Sequence, residues 1–442
     1  MTVARVLLPG ILVSALVLQA LLPRRRVLVV TCAAGLTCLA SALLGVATPP
    51  RLLADVPWDV LVILVALGVL SRMLAEARLF DRLAVVATRA SRADAVRALA
   101  VFSIVMYLVS GVVNNITALV LVLPVLHVLL KLAGPRQRYV SWTVGVLLVA
   151  CNLGGAATPI GDFPAILMLS GGRMTFAGYL QRAAPATALA LVVLLAIVLV
   201  VVRPGRGVAR DPVSARLTRA VVEAMHRNVA LDRRTFVPAA VSLALMLAAW
   251  TLLPLSWGVT PDLVCWLGVG FALALRHRLG ERLVREGIDS EATLFLLSLF
   301  VMVVAVRRTG VFESVARSIQ DLPISAPAQL VVFLVVAGIV TGIFSAGPSM
   351  AALLDVADSL ARRLPPHAVY VGLALAVCAG SSLFLTAATS GPLAQAITER
   401  ADLRDPEGRH LRFGFFEFLP AGLVSFCVIE AVAIAYGLWA LR

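Results

Sequence analysis

Charge is what this chain has least of. Only 14% of its 442 residues are Asp, Glu, Lys or Arg, and the 24 acidic residues are outnumbered by 38 basic ones. A soluble chain of this length carries more polar side chain than that. Cysteine is sparse as well: the six present are scattered singly, without metal-ligand or disulfide spacing, and are expected to be small apolar fillers. No Walker-type phosphate loop, HExxH or GxSxG pattern occurs, which argues against ATP drive and hydrolase chemistry. The chain is therefore not expected to be an enzyme or to hold a metal or cofactor.

What is present is apolar. Hydrophobic residues make up 61% of the chain, the mean hydropathy is +0.98, and apolar runs near the bilayer-spanning length of about twenty residues recur throughout. These features predict an all-α polytopic membrane protein. The net charge of +14 is expected to mark topology and contact with anionic lipid rather than nucleic acid, because the arginines sit in short loops between apolar spans. Residues 6–22 could pass for a signal peptide. Their charge follows the apolar run, in Arg24, Arg25 and Arg26, so a retained first span entering from outside is expected.

Two stretches violate the apolar pattern. Ser110–Pro124 reads SGVVNNITALVLVLP, and Ala150–Leu169 reads ACNLGGAATPIGDFPAILML. Paired asparagines, paired glycines, prolines and a carboxylate at membrane depth are tolerated only where the backbone is buried in protein or lines a cavity. Broken helices at that depth are the best pointer to a transporter's binding site.

The apolar pattern predicts spans near 6–22, 27–47 and 57–77, a basic amphipathic stretch at 78–97, and a block at 98–130 with the asparagines in its middle. Both flanks of that block are basic, so it is read as a re-entrant hairpin with its tip near Asn114 and Asn115. An interrupted span at 139–170 and a span at 183–202 follow. A basic linker at 203–235 separates this first half, 1–202, from a second, 236–442. The second half has spans near 236–254, 261–275 and 291–306, a hairpin at 327–360, an interrupted span at 367–397 and a last span at 413–438. Threading the chain this way puts 27 of the 38 basic residues in loops on one face, which the positive-inside rule makes cytoplasmic. The N-terminus then lies outside, the central linker is cytoplasmic, and the plasma (inner) membrane is the expected location.

The halves also resemble each other. WDVLVILVALGVLSRMLAEARLFDRLA (58–84) aligns with SEATLFLLSLFVMVVAVRRTGVFESVA (290–316), SGVVNN (110–115) with TGIFSA (341–346), and Cys151 with Cys378. The first half starts outside and the second inside. The prediction is an inverted repeat of about five transmembrane helices plus one re-entrant hairpin each, about ten spans and two hairpins in all.

The breaks carry the chemistry. Asn114, Asn115 and Thr117 offer side-chain oxygens suited to a hard cation or donors for an oxyanion. Gly154 and Gly155 let backbone approach a ligand, and Pro159 ends a half-helix. Asp162 beside the break needs a partner, a proton or a cation, and is read as the carrier of proton or sodium; it also fits as the N-cap of a half-helix starting at Phe163. Glu430, in the last span, is read as a proton relay, as a residue paired with a neighbouring helix, or as one facing the polar interior of the scaffold. Arg72 and Glu76, at i,i+4, are expected to pair with each other. Asp355 and Asp358 are expected to end the second hairpin near the outer surface. Cys151 and Cys378 invite a soft-ligand role, though packing near a tight break explains them as well.

The strings SGVVNNITALVLVLPV and NLGGAATPIGDFPAIL resemble the ion-transporter superfamily. The branch is that of the arsenite-efflux permeases, the D-type sodium/proton antiporters and the melanosomal P protein, with a more distant likeness to citrate-transporter-like divalent-anion/sodium symporters. The resemblance covers about residues 57–397. It implies a scaffold and a transport domain, elevator-type alternating access, often a homodimer, and ions bound at the two hairpin tips. By resemblance, Asn114, Asn115 and Thr117 match the first tip, and Asn152, Gly154, Gly155, Thr158, Gly161 and Asp162 the first unwound span. Ser381, Ser382, Thr386, Thr389 and Ser390 match the second unwound span, and Ser345 lies at the second tip. Two departures stand out: the second tip reads FSAGPS without the usual asparagine, and Asp162 is followed by Phe163-Pro164-Ala165. No arginine lies in either motif to clamp a carboxylate. The expected function is a proton-coupled antiporter exporting a monovalent cation such as sodium, or arsenite or antimonite. The alternatives are a sodium-coupled di- or tricarboxylate symporter, or a transport-inactive membrane scaffold or partner subunit.

Overall fold

The computed structural model describes residues 2–22, 25–91, 94–169, 172–205, 231–253, 258–286, 290–388 and 390–442. It consists of helices, of which eight are long and apolar enough to cross a membrane. Most of the 203–235 linker, residues 206–230, lies outside the described residues.

The first half begins with α1 (Thr2–Leu21), α2 (Arg26–Leu43), the short α3 (Pro49–Ala54) and α4 (Trp58–Glu76). The amphipathic α5 (Leu79–Ser91) follows. Then comes a helical hairpin of α6 (Ala95–Ser110) and α7 (Asn115–Ala133), a long α8 (Gln137–Ala157), the four-residue α9 (Phe163–Ile166) and α10 (Phe176–Ile197). The second half opens with α11 (Arg233–Leu252) and α12 (Pro261–Leu275), then the polar α13 (His277–Glu286), α14 (Ser290–Arg307) and the amphipathic α15 (Val311–Gln320). A second hairpin, α16 (Ala326–Phe344) and α17 (Ala346–Leu360), precedes α18 (Pro366–Ser381), α19 (Gly391–Arg400) and α20 (Phe415–Ala440). The order span, amphipathic helix, hairpin, broken helix, span thus occurs twice. The first hairpin begins at Ala95, not 98, because Asp94 caps it by accepting from the Val96 and Arg97 amides at 3.0 Å.

Contacts between loops sort the helix ends into two faces. On one, Arg308 bonds Asp55 at 2.5 Å, Arg307 bonds Asp355 at 2.8 Å and Arg173 bonds Asp358 at 2.8 Å. On the other, Arg282 pairs with Glu76 at 2.9 Å, Arg26 with Glu291 at 3.4 Å, and Gln137 donates to the Arg412 carbonyl at 2.6 Å. The start of α4 therefore meets the end of α14, and the two spans run antiparallel. The hairpins enter from opposite faces for the same reason, the first from the Glu76 face and the second from the Asp55 face. Glu76 is drawn to Arg282 rather than to Arg72, because α13 lays a guanidinium across the end of α4. Asp355 and Asp358 do more than end the second hairpin: each is held by an arginine from another segment.

Packing divides the helices into two groups. α1, α2, α4 and α11 to α14 pack on one another, and the hairpins pack with the broken helices and with α10 and α20. The amphipathic α5 and α15 run from the first group to the hairpins. Within the second group, glycine sets the spacing. A Cβ added to Gly154 in α8 would lie 2.9 Å from the Tyr107 Cα in α6, whereas one on Gly35 in α2 would meet nothing within 4 Å.

Alanine at Gly154 consequently costs about 1–3 kcal/mol of overpacking, despite alanine's better helix propensity. Thermal unfolding in detergent, followed by size-exclusion chromatography, should show a lower midpoint for Gly154→Ala and an unchanged or higher one for Gly35→Ala. Equal midpoints would contradict the close packing of hairpin and broken helix.

Candidate functional site

The first helix break opens where α8 ends at Ala157, since Pro159 cannot continue the ladder. The freed groups find partners in the first hairpin. Thr158 donates to the Gly111 carbonyl at 2.5 Å and accepts from the Ile160 amide at 3.3 Å. Asp162 restarts the helix as its N-cap, with Oδ1 accepting from the Phe163 amide at 2.9 Å. Its second oxygen, Oδ2, accepts from Asn115 Nδ2 at 2.9 Å. The capping role and a place at the heart of the site are realised by the same residue.

Asn115 is itself held from behind. The Ser110 hydroxyl lies against Asn115 Oδ1 and 2.8 Å from the Cys151 carbonyl, and the Cys151 thiol donates to the Asn115 carbonyl at 3.3 Å. Gly155 makes room for this pair: a Cβ there would lie 2.5 Å from Asn115 Oδ1 and 2.9 Å from the Asp162 Cβ. Asn114 caps α7, its Oδ1 accepting from the Ile116 amide at 2.7 Å.

The second break is tied to the first. Asn152 Nδ2 donates to the Ser381 carbonyl at 3.3 Å and to Ser382 Oγ at 3.2 Å. Both serine hydroxyls in turn donate to the Cys378 carbonyl, at 3.0 and 2.9 Å. The second tip is built differently from the first. Ser345 has φ +74°, a left-handed conformation uncommon for a residue with a Cβ, and its side chain caps nothing.

Two cavities meet at Asp162. A small one, of about 10 Å³, lies between Asn152, Asp162, Tyr179, Ala346, Cys378 and Ser381 and has room for one water-sized particle. The larger, of about 700 Å³, runs from Asn114, Asp162 and Ser345 to the bundle face carrying Arg26, Glu291 and Glu399. Asn114, Gly161, Asp162, Ser345 and Thr386 line the larger cavity, and Asn152, Asp162 and Ser381 the smaller. Asn115, Gly155, Thr158 and Ser382 support these from behind. Gly154 spaces α8 from α6, and Thr117 sits half-buried in the first turn of α7, lining neither cavity. Ser390 is buried with its hydroxyl unpartnered, while Thr389 lies outside the described residues. Glu430 lines neither cavity; it is buried in α20 with both oxygens unpartnered, so the pairing with a neighbouring helix is not found.

Sequence reasoning missed the residues that carry the larger cavity to the surface. Gln19, Ser71, Glu291 and Glu399 all line it, yet each lies toward an end of an apolar span, where a polar residue draws little notice. Gln19 alone had a signal, an amide within α1, and its Nε2 reaches the Phe344 carbonyl at the second tip, 3.5 Å away.

The citrate transporter family model matches residues 13–279 and 250–442. An uncharacterized transporter of Mycobacterium tuberculosis is 28% identical over 395 residues, 87% of each chain. Sodium/proton antiporter 1 of Arabidopsis thaliana is 24% identical over 288 residues, 64% of this chain and 46% of that one. Among solved structures, the YdaH transporter of Alcanivorax borkumensis aligns over 92% of this chain and 88% of its own at 16% identity and a TM-score of 0.44. With the family model matching almost its whole length, the chain belongs to the citrate transporter family of membrane transporters.

Proposed function

We propose that this transporter is a proton-coupled antiporter that exports a monovalent cation, sodium first among them, by an elevator movement of the hairpin-bearing helices. The observation that carries this reading is Asp162 at the head of the larger cavity. A carboxylate has about four acceptor positions, and the Asn115 amide and the Phe163 amide use one on each oxygen. The remaining positions are available to a cation or a proton, one excluding the other. Charge along the cavity agrees: among the described residues, Asp162, Glu291 and Glu399 line it against Arg26. Arg26 is already engaged with Glu291, and its guanidinium lies 5.9 Å from the centre of the Phe295 ring. A route lined this way favours cations over free polyanions.

The direction follows from the same features. The face onto which the cavity runs carries most of the basic loops, so it is assigned to the cytoplasm and the state is inward-facing. Sodium enters from the cytoplasm and displaces the proton on Asp162. Sparse contact between the two helix groups then lets the loaded group move, and a proton from outside replaces the ion. Arsenite is the weaker cargo, because the Cys151 thiol is occupied by the Asn115 carbonyl. A second reading, a sodium-coupled carboxylate symporter, draws on the match to the citrate transporter family; in it Arg26 supplies a cationic group on the route.

Proteoliposomes with a trapped pH dye separate these readings when sodium, lithium, arsenite and citrate are added in turn. Proton movement on sodium or lithium is expected, and Asp162→Asn should abolish it while leaving a folded, monodisperse protein. Silence of the dye on sodium and lithium, together with uptake of labelled citrate driven by a sodium gradient, would replace the cation reading by the anion one. Wild-type exchange in Asp162→Asn would remove the carboxylate from the mechanism.

The support behind Asp162 gives a second test. Asn115→Ala removes a hydrogen bond to a charged acceptor, about 1.5–3 kcal/mol, and is expected to reduce exchange by roughly tenfold or more. Gly155→Ala should act in the same direction by displacing the amide. Unchanged exchange in both would place the ion away from the first tip.

A further inference from the structure

Glu430 is a buried carboxyl that the proposed cycle leaves unused. It sits near the middle of α20, is 6% exposed, and neither carboxylate oxygen has a hydrogen-bond partner. Its surroundings offer no countercharge. α16, against which it packs, carries no ionisable residue. On the other helices packed on α20, the Tyr179 hydroxyl is engaged on the Ala156 carbonyl, Arg182 on the Gly178 carbonyl and Tyr370 on Asp358, while the Thr143 hydroxyl of α8 is buried without a partner. On α8, Arg138 bonds the Val202 carbonyl and Tyr139 the Ala95 carbonyl. On α20 itself, Glu417 lies in the first turn, Cys427 is exposed, and the Tyr436 hydroxyl is unpartnered six residues on.

An uncompensated carboxylate in such a place costs several kcal/mol or more, so the side chain is neutral here. The space it fills is specific. A Cβ added to Gly338 of α16 would lie 2.6 Å from Glu430 Oε2. The same stretch of α16 is seated on the second broken helix, where a Cβ on Gly380 would come within 2.5 Å of the Thr341 Cβ and 2.9 Å of the Gly342 amide. Glu430 therefore lies behind the arm whose end is the Ser345 tip. Ionising it requires water or a cation to enter between α16 and α20, which separates the arm from the helix it rests on.

We propose that Glu430 is a second proton-binding site, which holds its proton while α16 is seated on α20 and releases it when the second hairpin lifts. It rests on the transport reading only for the purpose of that lifting; the proton site itself stands on the packing. The second hairpin, lacking an asparagine at its tip, thus takes its charge from behind rather than from the tip.

Infrared difference spectroscopy of the protein in lipid tests this without knowledge of the cargo. The wild type should show the carbonyl stretch of a protonated carboxyl at acidic pH, lost as the pH rises, and E430Q should lack that band. Asp162→Asn should keep it, which separates this proposal from the role assigned to Asp162. Gly338→Ala, which crowds the carboxyl without removing it, should shift the band or its titration midpoint. The proposal is overturned if E430Q and wild-type spectra superpose, or if the Glu430 band persists unchanged to alkaline pH, since a proton never released is not exchanged.

Discussion

A helix that ends inside a bilayer leaves backbone amides and carbonyls with no water to satisfy them, and the first break is built around that constraint. At the first break the answer comes from side chains. Thr158 satisfies Gly111, Asn114 caps α7, Asp162 caps α9, and Asn115 links the two caps. Such a cluster is expensive to assemble in an apolar setting, since each member left unpaired would cost about 1–3 kcal/mol. It persists because each polar group is positioned by another, from Cys151 through Ser110 and Asn115 to Asp162.

Glycine makes the arrangement dry. Gly155 admits the Asn115 amide against Asp162, and Gly154 brings α8 onto α6. Without those contacts water would reach the break from both sides. A gate that opens to alternate faces needs one closed path at all times, and close backbone packing on one side of Asp162 with a cavity on the other supplies it.

Much of this was legible in the chain itself. Polar residues are so costly in an apolar span that their presence marks a break: the first hairpin turns at Asn114, α8 ends three residues after Gly154, and α18 ends at Ser381. Asp162 was legible for the same reason. Side-chain partnership was not: Glu76 sits four residues from Arg72 yet bonds Arg282, from a helix some two hundred residues away. The residues that carry the cavity outward, Gln19 and Glu399 among them, come from helices far apart in sequence and have no shared pattern. Spacing along a helix predicts which neighbours are possible, whereas long-range packing decides which is taken.

The two halves repeat the same order of elements but not the same chemistry, and the difference bears on coupling. The first tip is charged through Asp162 and dressed with amides. The second offers Ser345 in a left-handed conformation, with no side-chain cap, and backbone strain of that kind costs of order 1–3 kcal/mol. A site with one central carboxylate can hold one cation or one proton, so in the proposed antiport competition at Asp162 would suffice for exchange. A strained tip without its own charge suits a moving part better than a binding part, because its closed form is held by packing that can be relieved. On the proposed antiport reading, the asymmetry puts ion selection in the first half and gating in the second, with the unpartnered carboxyl of Glu430 behind the α16 arm of that gate.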